Sequence, residues 1–153
     1  MSLAAVRLTH VPYKGVGPAL NDVIAGQIPV MFAGTPGALP HVRAGRLRAL
    51  AVASAQRSPA APDVPTVEES GVTGYAYTAW VGYLAPAGTP REIVAKLNTD
   101  IRTVVNAPDV REKFAAVGFE IQTGSPEDFA LLIQREGTRM TNLVRAAGIK
   151  ANP

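Results

Sequence analysis

Three short apolar runs, "VRLTHV" (6–11), "PVMF" (29–32) and "LRALAVAS" (47–54), recur along the first third of the chain. Each gap between them holds a segment that opens on Pro and closes on Gly. The first run alternates apolar and polar residues and reads as a half-buried strand; the second reads as a fully buried one. The third is interrupted only by Arg48. Gly17-Pro18 and Thr35-Pro36 each put a permissive or capping residue ahead of Pro at the first helical position, where the missing N–H costs nothing. Gly26 and Gly45 then supply helix stops. The pattern is βαβαβ with short connections, for which parallel pairing and right-handed crossovers are the default. A small α/β sheet is expected over the first half.

Beyond it, residues 55–65 carry three Pro and read as an extended surface segment. "TVEE" (66–69) has the form of a capping box, Thr66 as cap and Glu69 reaching back. "YAYTAWVGYLAP" (75–86) exceeds an average strand, and a long strand or strand pair crossing between subdomains would explain its length. In "GTPREIVAKLNTDIRTVVN" (88–106), Thr89 is the expected cap, Pro90 the first helical residue and Glu92 the closing acid. Ile93, Val94, Leu97, Ile101, Val104 and Val105 form one apolar face of that helix. A second helix follows Pro108, "FEIQT" (119–123) reads as a short strand, and a further capped helix begins at Ser125. Its apolar face holds Phe129, Leu132, Ile133, Met140, Leu143 and Val144, and Gly137 weakens its middle by about 1 kcal/mol relative to Ala. The chain thus divides into an α/β portion (6–75) and a crossover with carboxy-terminal helices (76–153).

Composition removes several classes of function. At 153 residues, 47% hydrophobic and 18% charged, the chain reads as globular rather than disordered. Fifteen Lys and Arg against 12 Asp and Glu give a small positive balance, but the basic residues are scattered and no nucleic-acid partner is expected. Without Cys there is no disulfide, thiolate chemistry or Cys-type zinc site. No apolar stretch approaches the roughly 18 residues of a membrane span, and "MSLAAVRLTH" lacks the basic region and apolar length of a signal peptide. His10 and His41 stand without a G-x-S-x-G or H-E-x-x-H context, so each reads as a surface or packing residue. Asp22, Asp63, Asp100, Asp109 and Asp128 sit at helix faces, starts or loops, and no carboxylate pair is selected for acid–base work. The chain is not expected to be an enzyme, nor to hold a metal or cofactor.

"YKGVGPA" contains a G-x-G but no phosphate loop: Lys14 precedes the glycines, and Leu20 stands where a dinucleotide fingerprint needs its third Gly. Two readings stay open. One is a plain strand-to-helix turn. In the other, the backbone N–H groups of residues 17–20 face an anion, helped by the helix dipole. Gly34-Thr35 builds a second such helix start, and neighbouring βα turns are where ligands sit in open α/β sheets. Trp80, Tyr75, Tyr77 and Tyr83 either line a cleft or pack a core.

The stretch "HVPYKGVGPALNDVIAGQIPVMF", followed by "ALPHVRAGRLRALAVASAQRSPAAPDVPTVEESG", resembles the tripartite tricarboxylate transporter substrate-binding proteins, or Bug family. "AWVGYLAPAGTPREIVAKLN" and "PDVREKFAAVGFE" extend the resemblance over residues 6–149. It implies an α/β fold of the type II periplasmic-binding class, here incomplete: the second lobe plus helices that return to the first. It also implies an exported, periplasmic receptor that holds a small carboxylate and passes it to membrane permease subunits. Family members run about twice this length, the difference being an amino-terminal half with its own ligand loop. Many have an Asp or Asn after the "MF" pair, where Ala33-Gly34-Thr35 stands here. By the resemblance, the ligand-facing residues are Tyr13, Lys14, Gly15, Gly17, Phe32, Gly34, Thr35 and Trp80. A lobe without its partner leaves sheet edges bare, so a homodimer or swapped oligomer is expected. The competing readings are the effector domain of a LysR-type regulator, which shares this fold class, and an α/β enzyme of unknown reaction.

Overall fold

The structure, a computed structural model, describes Ala4 and residues 6–149. Five helices follow one another: α1 (Val16–Ile24), α2 (Thr35–Arg43), α3 (Arg91–Val105), α4 (Pro108–Ala116) and α5 (Pro126–Ala146). They occupy the segments expected from Pro, Gly and apolar periodicity, with starts displaced by one or two residues. α1 begins at Val16 behind Gly15, so Pro18 is its third residue rather than its first. α2 begins at Thr35 behind Gly34, and α3 begins after Pro90, with Thr89 donating its hydroxyl back to the Pro86 carbonyl instead of capping. Gly26 and Gly45 do end the first two helices, at φ 75° and 68°, the left-handed geometry that a side chain resists. α5 runs unbroken through Gly137.

The expected strands are the main correction. Among the described residues no strand ladder forms; the single bridge is parallel, between Val52 and Thr66. Val52 donates to the Pro65 carbonyl at 2.8 Å, Val67 to Val52 at 2.9 Å and Tyr77 to Ala53 at 2.8 Å. The third expected strand therefore has the start of two neighbours at its carboxyl end. Residues 6–11, 30–33, 78–85 and 120–124 take no regular secondary structure and lie against no paired strand. A strand is defined by its neighbour, and β pattern alone does not bring one.

Short-range chemistry orders what joins these pieces. Thr66 Oγ1 accepts from the Glu69 N–H at 3.0 Å while Glu69 Oε2 accepts from the Thr66 N–H at 2.7 Å, the expected capping box, here closing a turn instead of starting a helix. Arg57 braces Glu69 at 2.9 Å, and Thr66 is one of few buried residues. Thr66's backbone N–H, then Arg57, hold the Glu69 carboxyl below its ordinary range. α3 packs on α4 and α5, with Asn98 donating to the Gly124 carbonyl at 3.0 Å. Along α5, Phe129 meets Trp80 edge-on at 5.5 Å, and Arg139 covers the Tyr77 ring at 5.7 Å. Segment 76–84 is thereby strapped to α5. Among the described residues the buried apolar ones are few: Ala19, Leu20 and Leu39.

Candidate functional site

The loop 12–15 and the turn 32–34 each deliver the chain into the amino terminus of a short helix. Gly15 adopts φ 143°, a region that favours Gly, and hands over to α1; Gly34 is extended and hands over to α2. Neither helix has a side-chain cap or an acid in its first turn. The other three all carry one: Glu92 in α3, Asp109 in α4, and Glu127 and Asp128 in α5. An acid in the first turn offsets the positive end of the helix dipole. α1 and α2 leave theirs uncompensated.

Proline narrows the donor set. The first N–H groups of a helix have no intrahelical acceptor. In α1 these belong to Val16 and Gly17, since Pro18 has none, and the Ala19 N–H makes no bond to the Gly15 carbonyl; of the expected span 17–20, Pro18 drops out and Val16 joins. In α2, Pro36 again has none, and Gly37 and Ala38 both donate to the Gly34 carbonyl, at 3.1 and 3.2 Å. Thr35 is left as the outward donor of that turn.

The side chains sort unevenly. Tyr13 is half-buried and gives its hydroxyl to Asp22 Oδ2 at 2.6 Å, folding the loop back along α1. That hydrogen bond, with some desolvation and the Asp22 charge, raises the phenol above its ordinary pKa. Lys14 is exposed. Phe32 is 74% exposed, a large aromatic surface immediately before the α2 turn. Around Gly17 there is no atom within 4 Å of a Cβ position, and Gly34 meets only the Pro36 ring, at 3.9 Å. Both glycines therefore leave open space in front of the backbone.

Thr35 and Trp80 have other duties. The Thr35 methyl lies 2.7 Å from where a Gly118 Cβ would stand, so Gly118 (φ 85°) must remain bare for α2 to seat on the end of α4. Arg43 secures the same seat, donating to the Ala116 carbonyl at 3.2 Å and the Ala60 carbonyl at 3.4 Å. Trp80 is held by Phe129 of α5, beside a groove lined by Tyr77, Ile133, Gly137 and Met140. Sequence reasoning gave no role to Arg43, Gly82 or Gly118 and read Asp22 as one of the acids at helix faces, starts or loops, without its bond to Tyr13. Only Asp22 had a local signal, a carboxylate on α1 one loop away from a tyrosine. Among the described residues no three of His, Asp and Glu group as metal ligands. No described helix is long and apolar enough to cross a membrane.

The sequence matches, over residues 1–149, the model of a family described as the tripartite tricarboxylate transporter family receptor. A curated relative, the UPF0065 protein of the tcbD-tcbE intergenic region of Pseudomonas sp. (strain P51), is 39% identical over 97% of this chain and 45% of its own length. Among solved structures, R. palustris Rpa4515 with adipate is similar at 36% identity and a TM-score of 0.90, over 95% of this chain and 49% of that one. MatC (Rpa3494) from Rhodopseudomonas palustris with bound malate is similar at 37% identity and a TM-score of 0.79, over 93% and 49%. The chain spans about half the length of these relatives.

Proposed function

Because the chain belongs to the tripartite tricarboxylate transporter receptor family, we propose that it forms one wall of a solute-binding cleft for a small dicarboxylate. The observation that carries this reading is the pair of acid-free, uncapped helix starts at α1 and α2. Two relatives solved with adipate and malate supply the ligand class. In this reading residues 6–75 bear the ligand loops, and 76–153 form the crossover and the helices behind them. The N–H groups of Val16, Gly17 and Thr35 receive a carboxylate, and Lys14 draws it in. Gly15, Gly17 and Gly34 keep the backbone approachable, Tyr13 shapes the loop, Phe32 covers the ligand's methylenes, and Trp80 borders the cleft more distantly. No catalytic step is assigned. As a receptor it works outside the cytoplasm, in the periplasm, and hands its ligand to membrane permease subunits. Alone, its bare edges drive self-association into a homodimer or swapped oligomer.

One wall binds weakly. Micromolar affinity requires about 8 kcal/mol, whereas a helix start offers an anion up to about 2 and a charged hydrogen bond about 1.5–3. Association entropy is subtracted from these non-additive terms. Adipate should therefore bind this chain at about millimolar Kd, shifting the amide resonances of Val16, Gly17 and Thr35 ahead of all others. Gly17→Ala has free space and gains helix propensity, so it should leave the fold intact and weaken those shifts several-fold. Adipate shifts confined to other residues, or unchanged in Gly17→Ala, would refute the site; sub-micromolar binding would refute the half-cleft.

A further inference from the structure

Thr35, Leu39 and Arg43 stand four residues apart and so share one stripe of α2. At the first end of the stripe, the Thr35 methyl and Cβ lie 2.7 and 3.3 Å from where a Gly118 Cβ would stand, and the Ala60 methyl lies 3.7 Å from the same point. Leu39, midway, is buried. At the other end Arg43 donates from Nη1 to the Ala116 carbonyl at 3.2 Å and from Nη2 to the Ala60 carbonyl at 3.4 Å. Among the described residues neither carbonyl accepts a backbone N–H. Ala116 is the last residue of α4, where carbonyls have no partner within their own helix. One short piece of chain, 116–118 with Ala60, therefore holds α2 at both ends.

Contacts spread along one stripe fix the roll of a helix as well as its tilt. The Thr35 N–H rides on the same rod, about 12 Å from Arg43 along the axis. If α2 rolls, that N–H turns with it, while every hydrogen bond inside the helix survives. The guanidinium suits this duty because its planar fork reaches two carbonyls at once, which a point-like ammonium does not. α1 is tied differently. Among the described residues its side chains make no hydrogen bond to α4 or to 55–65, and its anchor is the local Tyr13–Asp22 bond.

We infer that Arg43 is a positioning residue for carboxylate binding at Thr35, acting together with the bare Gly118. The end of α4 thereby governs one of the two candidate helix starts and not the other. Arg43 is spent on two carbonyls and stands a helix length from the donor, so it acts through α2 and not as a ligand contact. The inference rests on the dicarboxylate reading of the α1 and α2 starts and adds what controls one of them.

The test follows amide resonances of this chain through an adipate titration. Arg43 is exposed, so Arg43→Ala should leave the far-ultraviolet helical signal unchanged. Before adipate is added, the resonances of Thr35, Gly37 and Ala38 should move. The adipate shift at Thr35 should then fall several-fold, while those at Val16 and Gly17 keep their parental size. Arg43→Lys offers one point donor in place of the fork and should recover only part of the loss. Gly118→Ala, which presses on Thr35 from the α4 side, should give the same pattern. A parent chain without adipate shifts at Val16, Gly17 or Thr35 defeats the dicarboxylate reading, and this inference with it. Where those shifts are present, the inference alone is overturned if Arg43→Ala leaves the Thr35 shift intact, if it lowers all three alike, or if Arg43→Lys matches the parent.

Discussion

Gly82 is the residue whose replacement tests the packing most sharply. A methyl group there would stand 2.8 and 2.9 Å from Cε2 and Cε1 of Phe129, and closer still to Cζ. Those atoms belong to one rigid ring, so no side-chain tip can bend aside. The ring also cannot retreat freely, because it meets Trp80 edge-on at 5.5 Å with an interplanar angle of 88°. Gly82→Ala must either push α5 away from segment 76–84 or swing Phe129 off Trp80. Overpacking of this kind costs about 1–3 kcal/mol, and an edge-to-face pair is worth about 0.5–1.5. A cost of about 2 kcal/mol, roughly thirty-fold in the docked fraction, is the expected outcome.

Trp80 is the sole tryptophan, so its fluorescence reports this contact directly during urea unfolding. The decisive measurement is a double-mutant cycle. Once Phe129→Ala has removed the ring, adding Gly82→Ala should cost less than about 0.5 kcal/mol, a coupling of about 1.5. Gly17→Ala, where no atom lies within 4 Å, serves as the control for adding a methyl group as such. A Gly82→Ala chain as stable as the parent would refute the packing argument, and so would equal cost in both backgrounds.

Two further outcomes follow from titrating groups. Tyr13 has a folded pKa raised by its bond to Asp22, so its contribution is complete below pH 10.0 and is lost as pH rises through the higher folded value. In an ultraviolet phenolate titration Asp22→Asn should move the Tyr13 ionisation back down toward its ordinary value; an unmoved titration would discount the Asp22 bond. Asp128 is held low by the Ser125 backbone N–H and hydroxyl, so its contribution is present above its ordinary value of 3.8 and fades as pH falls through the lowered one. Ser125→Ala removes the hydroxyl but keeps the backbone N–H, so the Asp128 midpoint should rise part of the way toward its ordinary value in carboxyl resonance; an unmoved midpoint would discount the Ser125 hydroxyl.

What the sequence made legible divides by range. The five helices could be read because Pro, Gly and a stripe of apolar residues act within a turn or two of where they stand; even the errors at Val16 and Arg91 are slips of one or two positions. The Thr66–Glu69 box and the cap at Ser125 close over three residues and were visible for that reason, whereas the expected Thr89–Glu92 box did not form because Thr89 turns back to the Pro86 carbonyl. Gly82 and Gly118 were not visible, because what forbids a side chain there is Phe129 in one case and Thr35 in the other, each far along the chain. Their cause exists only after folding. The candidate ligand loops fall between: Gly15 and Gly34 were found from the turn pattern, but the removal of donors by Pro18 and Pro36 needed the helix starts to be located first.

The strands are the instructive failure, and the same residues explain it. "WVGYLA" is apolar at odd and even positions alike, the pattern of an interior strand, and such a pattern is uninformative about its neighbours. Periodicity reports which faces must be covered; it says nothing of which segment covers them. In the structure Val81, Tyr83 and Leu84 remain in the open while Ala19, Leu20 and Leu39 make up the buried apolar residues. Local pattern and burial thus disagree at the same positions. Segment 78–85 meets Phe129 of α5 at Trp80 and Gly82 while Val81 and Tyr83 stay open, so α5 covers one face of it and leaves the other bare.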